Sequence, residues 1–161
     1  MADQKPKKPC QSAVTTRYLL MPHHANPHGT AFGGTIMSWI DTVASMAAQR
    51  HARTEVVTAS IDQIQFRQPI NIGDHVLLKA SVNYVGRTSM EVGVKVTKEN
   101  PYTGNSTVAT TAHLTFVALD EKHRPTVIPP LEPATDDEKR RFANAQKRLE
   151  QRKTEITKKG E

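Results

Sequence analysis

The sequence predicts an α+β fold in which one long helix packs against an antiparallel sheet. Between residues 34 and 51, apolar side chains recur at steps of three and four, which indicates an amphipathic helix. Residues 89–98 instead alternate apolar side chains with polar residues or glycine, which is typical of a strand with one buried face. One helix followed by a series of strands is the pattern of an α+β domain. The apolar positions are Ile36, Met37, Ile40, Val43, Ala44 and Ala47 in the helix, and Met90, Val92, Val94 and Val96 in the strand.

Turn residues divide the rest of the chain into further strands. A short strand at residues 15–21 precedes the helix, and strands are predicted at 56–66, 75–85 and 107–119. They are separated by Gly73-Asp74, by Gly86 and by the segment 100–105 (NPYTGN). Long strands at a sheet edge expose unpaired backbone N–H and C=O groups, and association with a second copy of the chain could cover them.

The chain of 161 residues is expected to form one domain over residues 14–130. Residues 1–13 are expected to be a disordered basic tail. Residues 131–161 are expected to be a charged C-terminal helix and tail, capped by Thr135, solvated, and frayed beyond about Thr154. No apolar run is long enough for a membrane span, and the N-terminus lacks the pattern of a secretory signal. The single cysteine, Cys10, fits a reducing cytoplasm, which is the expected location.

The formal net charge of +6 suits a ligand that carries phosphates. Much of the positive charge lies in the C-terminal segment, where aromatic residues are sparse. Aromatics make up only 5% of the whole chain. Because nucleic-acid-binding segments usually interleave basic and aromatic side chains, no nucleic-acid partner is expected.

The segment 23–41 carries the strongest chemical signal. Gly33 and Gly34 open the predicted helix, where backbone N–H groups are free and the positive end of the helix dipole attracts anions. Asp41 lies seven residues after Gly34, about two turns into the helix, on or beside its apolar face. A carboxylate there is costly to bury unless it is used, so the segment indicates acyl transfer or hydrolysis.

Several motifs in this order resemble the hotdog-fold acyl-CoA thioesterases. They are residues 26–29 (NPHG), 32–34 (FGG), 39–41 (WID), 58–62 (TASID), 66–70 (FRQPI) and 85–92 (VGRTSMEV). The chain is most similar to the cytosolic acyl-CoA hydrolase group, which includes brain acyl-CoA hydrolase and single-domain bacterial relatives. The resemblance spans residues 14–120. It implies a central helix wrapped by a curved antiparallel sheet, and a homodimer with a continuous sheet that can assemble further into a tetramer or hexamer.

The resemblance also implies the catalytic residues. Asp41 would act as general base or as nucleophile, and Asn26 would come from the opposite subunit. The Gly34 N–H would stabilise the oxyanion, and the Thr58 hydroxyl would lie near the attacking water. Each has a structural alternative: a capping Asp, a turn Asn, a glycine needed for chain geometry, and a strand Thr used in packing.

Substrate binding would involve Gly33, the loop residues Arg87, Thr88 and Ser89, and Arg124 as part of a phosphate patch. The loop could instead be a simple hairpin tip, and the patch could serve solubility. His23, His24 and His28 cluster near Asn26, but their spacing is not that of a zinc site, so no metal is expected. No cofactor is required for thioester hydrolysis.

The expected reaction converts fatty acyl-CoA and water into a free fatty acid and coenzyme A. The alternative is a non-catalytic acyl-CoA-binding protein of the same fold, acting as a sensor or regulator. Such regulators carry a separate DNA-binding module, and the dozen or so residues before the first strand are too few for one. A hotdog hydratase would need a histidine five residues after Asp41, where the chain has Met46.

Overall fold

Five antiparallel strands form one sheet, and the long central helix packs against it. A computed structural model describes residues 4–160. The strand order is β1-β3-β4-β5-β2, and every pairing is antiparallel. The predicted α+β class is therefore confirmed. In chain order the elements are β1 (Val14–Leu19), α1 (Gly33–Ala52), β2 (Glu55–Phe66), β3 (His75–Val85), β4 (Ser89–Glu99), β5 (Ser106–Leu119) and α2 (Asp136–Lys159).

Helix α1 forms the core together with the inward face of the sheet. It ends at Arg53, whose left-handed backbone (φ 58°) lets its N–H donate to the Gln49 carbonyl at 2.7 Å. The buried helix face is rich in alanine, which allows the helix to approach the sheet closely. This packing fixes the position of Asp41 relative to the strands. The fully buried helix residues include Ile40, Val43, Ala44, Ala47 and Ala48, and those of the sheet include Val92, Leu114 and Phe116.

Strand β2 follows α1 in the chain but lies at the far edge of the sheet. Among residues 4–160 it pairs only with β5, the last strand. Its register shifts twice, between Thr58 and Ser60 and again between Asp62 and Gln65, so β2 contains two bulges. Gln63, in the second shift, has a positive φ of 54°. Strand β2 is therefore irregular immediately C-terminal to Thr58.

The N-terminal segment is ordered where the structure describes it, so the disorder predicted for residues 1–13 is wrong there. The Lys7 backbone bonds to Pro130 and Glu132, and its ammonium donates to the His51 carbonyl at 2.7 Å. Ser12 is fully buried. The prediction failed because a polar sequence was taken as solvated, whereas these groups find partners on distant parts of the chain. Residues 1–3, which belong to the same predicted tail, lie outside the described residues.

Helix α2 is longer and better packed than predicted. It runs to Lys159 instead of fraying after Thr154, and Ala145 is buried against the outer face of the sheet. Thr135 caps its start as predicted, accepting from the Glu138 N–H at 3.1 Å. Between residues 4 and 160, no helix is long and apolar enough to cross a membrane.

Candidate functional site

Asp41 and Thr58 are brought together by the packing of α1 on β2. The Thr58 hydroxyl donates a hydrogen bond of 2.8 Å to Asp41 Oδ1. No other side chain or backbone group in residues 4–160 donates to this carboxylate, so Oδ2 is available to accept from a water or a substrate group. Asp41 is half-buried, and Thr58 is exposed on the edge strand. A threonine that fixes one carboxylate oxygen orients the other, which is what a general base or nucleophile requires.

The start of α1 presents free backbone donors. Gly33 and Gly34 are its first two residues, and neither N–H has an acceptor in the described chain. Phe32 precedes them and caps the helix without a side-chain hydrogen bond. A Cβ on Gly34 would lie 2.6 Å from Phe32 Cε1, so the aromatic ring lies directly over this glycine. The free N–H groups leave the helix start with the donors that the predicted oxyanion site requires, and a side chain at position 34 would crowd them.

The Asn26 side chain organises its own loop. Asn26 Oδ1 accepts from the backbone N–H groups of His28 at 2.9 Å and Thr30 at 3.2 Å, and Nδ2 lies 2.9 Å from Thr30 Oγ1. This is the turn role that was the structural alternative for Asn26. One amide hydrogen stays free for a further partner. Within one chain Asn26 makes no hydrogen bond to Asp41.

The loop of residues 86–89 lies across β5 from the edge strand β2. Ser89 pairs with Val117, and Val117 pairs with Val57, the neighbour of Thr58. Two inter-strand spacings separate the Ser89 and Val57 backbones by about 10 Å. The carbonyl of Thr88 accepts from Ala118 and that of Arg87 accepts from Ile128, so the loop is fixed by backbone bonds.

Arg124 lies in the turn after β5. The segment that follows this turn is hydrogen-bonded to the loop of residues 86–89, through the Ile128 N–H and the Arg87 carbonyl. The Arg124 guanidinium forms an ion pair with Asp120 at 3.0 Å, and the arginine side chain is 67% exposed. Arg87 is exposed, whereas Thr88 and Ser89 are half-buried. The structure thus places the predicted binding cations on one end of the sheet, with Arg124 oriented by a carboxylate.

A pocket of about 330 Å³ opens beside Gly33. Its wall includes the Phe66 ring, whose Cζ lies 3.7 Å from where a Cβ on Gly33 would be. Phe66 belongs to the 66–70 motif, but no catalytic or binding role was predicted for it from the sequence. Its large apolar side chain is 55% exposed and borders this pocket. Other lining residues are Ile36, Pro69 and Ile70.

Two of the histidines near Asn26, His23 and His24, form an aromatic cluster with Trp39. His24 Nδ1 accepts from the Met21 N–H at 3.0 Å, and its ring meets Trp39 edge-on. Desolvation and the neighbouring His23 hold the pKa of His24 below its ordinary value. In the chain from residue 4 to residue 160, no three metal-binding side chains lie close enough to hold an ion.

Comparison with known proteins agrees with this geometry. The sequence model of the thioesterase superfamily matches residues 28–105. The uncharacterized acyl-CoA thioester hydrolase YkhA of Bacillus subtilis is 44% identical over 143 residues, covering 89% of this chain and 83% of that protein.

Two solved structures extend the comparison. An acyl-CoA hydrolase from Staphylococcus aureus, solved with butyryl coenzyme A, coenzyme A and coenzyme A disulfide, superposes with a TM-score of 0.89 at 36% identity. The superposition covers 96% of this chain and 94% of that one. A hexameric acyl-CoA thioesterase superposes with a TM-score of 0.92 at 39% identity, covering 94% and 97%.

A five-stranded antiparallel sheet around one long helix, with the Asp41 carboxylate of that helix bonded to the edge strand, places the protein in the class of hotdog-fold acyl-CoA hydrolases that these structures represent. The predicted hotdog fold is thereby confirmed. The chain belongs to the acyl-CoA thioester hydrolases of the thioesterase superfamily.

Proposed function

We propose that this protein hydrolyses fatty acyl-CoA to a free fatty acid and coenzyme A. The observation that carries the proposal is the hydrogen bond from Thr58 to Asp41 Oδ1, which leaves Oδ2 free in a chain of the acyl-CoA thioester hydrolase family. Solved variants of the Staphylococcus aureus hydrolase replace one Asp, one Asn and one Thr by alanine, the three residue types selected here.

Hydrolysis proceeds by attack of a water on the thioester carbonyl. Asp41 Oδ2 takes a proton from the water, whose oxygen forms the new bond to the acyl carbon. The carbonyl oxygen becomes an oxyanion, which the Gly34 N–H and the positive end of α1 stabilise. The carbon–sulfur bond then breaks, and coenzyme A leaves as the thiolate. In the alternative route Asp41 attacks the carbon itself, and water hydrolyses the resulting anhydride.

The substrate is held at both ends in this proposal. Arg87, Thr88 and Ser89 contact the coenzyme A moiety, and Arg124 contributes charge for its phosphates. Gly33 lets the substrate approach the helix start closely, because a side chain there would project toward Phe66. The fatty acyl group lies against apolar surface near α1.

The active enzyme is proposed to be a homodimer, or a tetramer or hexamer built from dimers. The edge strand β2 exposes Val57 at 42% and Ile61 at 37%, and Met37 of α1 is 40% exposed. An unpaired edge bearing apolar side chains is a surface that a second copy can cover. The hexameric thioesterase of known structure supports assembly beyond the dimer. In this assembly Asn26 of one subunit lies beside Asp41 of the other. The proposed cellular location of the enzyme is the cytoplasm.

The test is thiol release from a panel of acyl-CoAs from C2 to C18. We expect Asp41→Asn to lower kcat by at least about 100-fold, because the amide cannot accept the proton. The matched control is Asp136→Asn, which removes an exposed carboxylate from α2 and should leave kcat unchanged. If the wild type binds acyl-CoA in calorimetry but releases no thiol from any substrate, the proposal fails and a non-catalytic binding protein is favoured.

A further inference from the structure

The bulged part of β2 is held from outside the sheet by one arginine of the C-terminal helix. Arg152 Nη1 lies 2.8 Å from Asp62 Oδ2, 3.3 Å from Ser60 Oγ and 2.9 Å from Thr115 Oγ1. Ser60 also donates to Asp62 Oδ2 at 3.1 Å. A single guanidinium therefore joins β2 to β5, since Thr115 is the partner of Ser60 across the ladder.

These contacts lie where the regular ladder is interrupted. Thr58 pairs with Phe116 and Ser60 pairs with Thr115, so Ala59 is an extra residue directly after Thr58. A second extra residue lies between Asp62 and Gln65, where Gln63 has a left-handed backbone. Bulges bend a strand and weaken its pairing, and a left-handed backbone is strained for a residue other than glycine. The short stretch between the bulges needs another restraint, and Arg152 supplies it.

The bulged stretch begins one residue after Thr58, whose hydroxyl holds the candidate catalytic carboxylate. Among residues 4–160 of one chain, β2 pairs on one side only, with β5, so within the subunit Thr58 is positioned by this interrupted ladder and by the contacts that restrain it. A shift of the strand by a few tenths of an ångström would lengthen the 2.8 Å bond to Asp41. Misplacement of a catalytic group by about 1 Å can cost roughly 100-fold in rate.

We propose that Arg152 is a positioning residue for the reaction: from α2, on the outer face of the sheet, it sets the orientation of Thr58 and so of Asp41 on the inner face. This inference rests on the function proposed above. It gives a role in the active site to a helix that begins 31 residues after the end of the segment matched by the superfamily model. The Arg152 side chain is 30% exposed and touches no part of the site directly.

The first test is a double-mutant cycle on kcat. We expect Arg152→Met to lower kcat about tenfold while KM changes less than about threefold, since ground-state binding is not altered. In a Thr58→Val background the same change should lower kcat by less than about twofold, because the group through which Arg152 acts is gone. Arg152→Lys should recover most of the activity by keeping a cation beside Asp62. An equal loss of kcat in both backgrounds, or no loss in either, overturns the proposal.

The second test does not depend on activity. Amide hydrogen exchange of β2 (Glu55–Phe66) should become faster in Arg152→Met, whereas exchange of β4 (Ser89–Glu99) should not change. Lys153→Met, one residue along the same helix, is the control and should leave both strands unchanged. If β2 exchange is the same as in the wild type, the positioning role is excluded. If the wild type releases no thiol while β2 exchange responds as expected, the proposed function fails and the coupling from α2 to β2 stands.

Discussion

The two glycines at the start of α1 differ in their surroundings, although the sequence shows them as an identical pair. A Cβ added to Gly33 would make an ordinary van der Waals contact, 3.7 Å from Phe66 Cζ. At Gly34 a Cβ would meet the Phe32 ring at 2.6 Å. Since the Phe32 side chain is 58% exposed, its ring can move to accommodate a methyl group at position 34. An added methyl group should therefore cost more activity at position 34 than at position 33.

We expect Gly34→Ala to lower kcat by about tenfold or more, because the methyl group and displaced ring crowd the oxyanion site. Its urea midpoint should be unchanged or slightly raised, since alanine favours the helix over glycine by up to about 1 kcal/mol. Gly33→Ala is the paired control for helix propensity and should lose less activity than Gly34→Ala. Equal kcat losses in the two variants would contradict the role given to Gly34.

At the scale of elements, α2 is fixed to the sheet by a buried ion pair. Arg148 binds both carboxylate oxygens of Glu91, at 2.6 and 3.1 Å, and the side chains are 19% and 5% exposed. Asn83 donates to the same carboxylate at 3.2 Å. Burial alone would raise the pKa of Glu91, but hydrogen bonds from Arg148 and Asn83 outweigh it, so the pKa lies below its ordinary value.

Arg148→Met should destabilise the protein by about 3–5 kcal/mol, because it leaves a buried carboxylate without its cation. Urea unfolding at fixed protein concentration measures this. Glu91 has a lower pKa folded than unfolded, so the pair contributes fully above about pH 4.5 and its contribution is lost as the pH falls. The wild type and the variant should therefore converge in stability at acidic pH.

Arg140→Met is the control for that prediction. Arg140 pairs with Asp137 on the same helix, but the two side chains are 63% and 59% exposed. An exposed pair of this kind contributes about 0–1 kcal/mol. A loss for Arg148→Met no larger than that for Arg140→Met would show that α2 is held by other contacts.

Elements with a clear local period were predicted closely, whereas contacts between distant segments were not. The strand His75–Val85 agrees at both ends, and α1 differs from its prediction by one residue at each end. The pairing of Arg148 with Glu91 spans 57 positions and that of Arg152 with Asp62 spans 90, so no local pattern could reveal either. Asp41 and Thr58 were selected through family motifs, since neither a helical Asp nor a strand Thr is distinctive by itself.

On the scale of the whole molecule, we propose that the site is divided between two subunits. Asn26 binds its own loop and Asp41 binds Thr58, and the two do not bond to each other within a chain. A chain that carries both groups but cannot join them would be active only in the assembly. This division can be tested without a crystal of the complex.

Asn26→Ala and Asp41→Ala should each be nearly inactive, and their co-expression should restore part of the activity. Half of randomly formed dimers contain one chain of each kind, and one of their two sites is intact, so about a quarter of wild-type activity is expected. Co-expression of Asp41→Ala with the double variant is the control and should restore none. If heterodimers are seen by native mass spectrometry but release no thiol, the groups do not come from opposite subunits.

The strand order also has a consequence for biosynthesis. β2 leaves the ribosome early, but β5, the strand with which it pairs in the described part of the chain, is completed only at Leu119. Until then a nascent chain carries a 12-residue strand with both edges unpaired and with Phe66 and Ile61 exposed. Such edges invite pairing between neighbouring nascent chains. Codon choice or temperature that slows translation between residues 67 and 119 should therefore lower the soluble yield, even though the finished protein is unchanged.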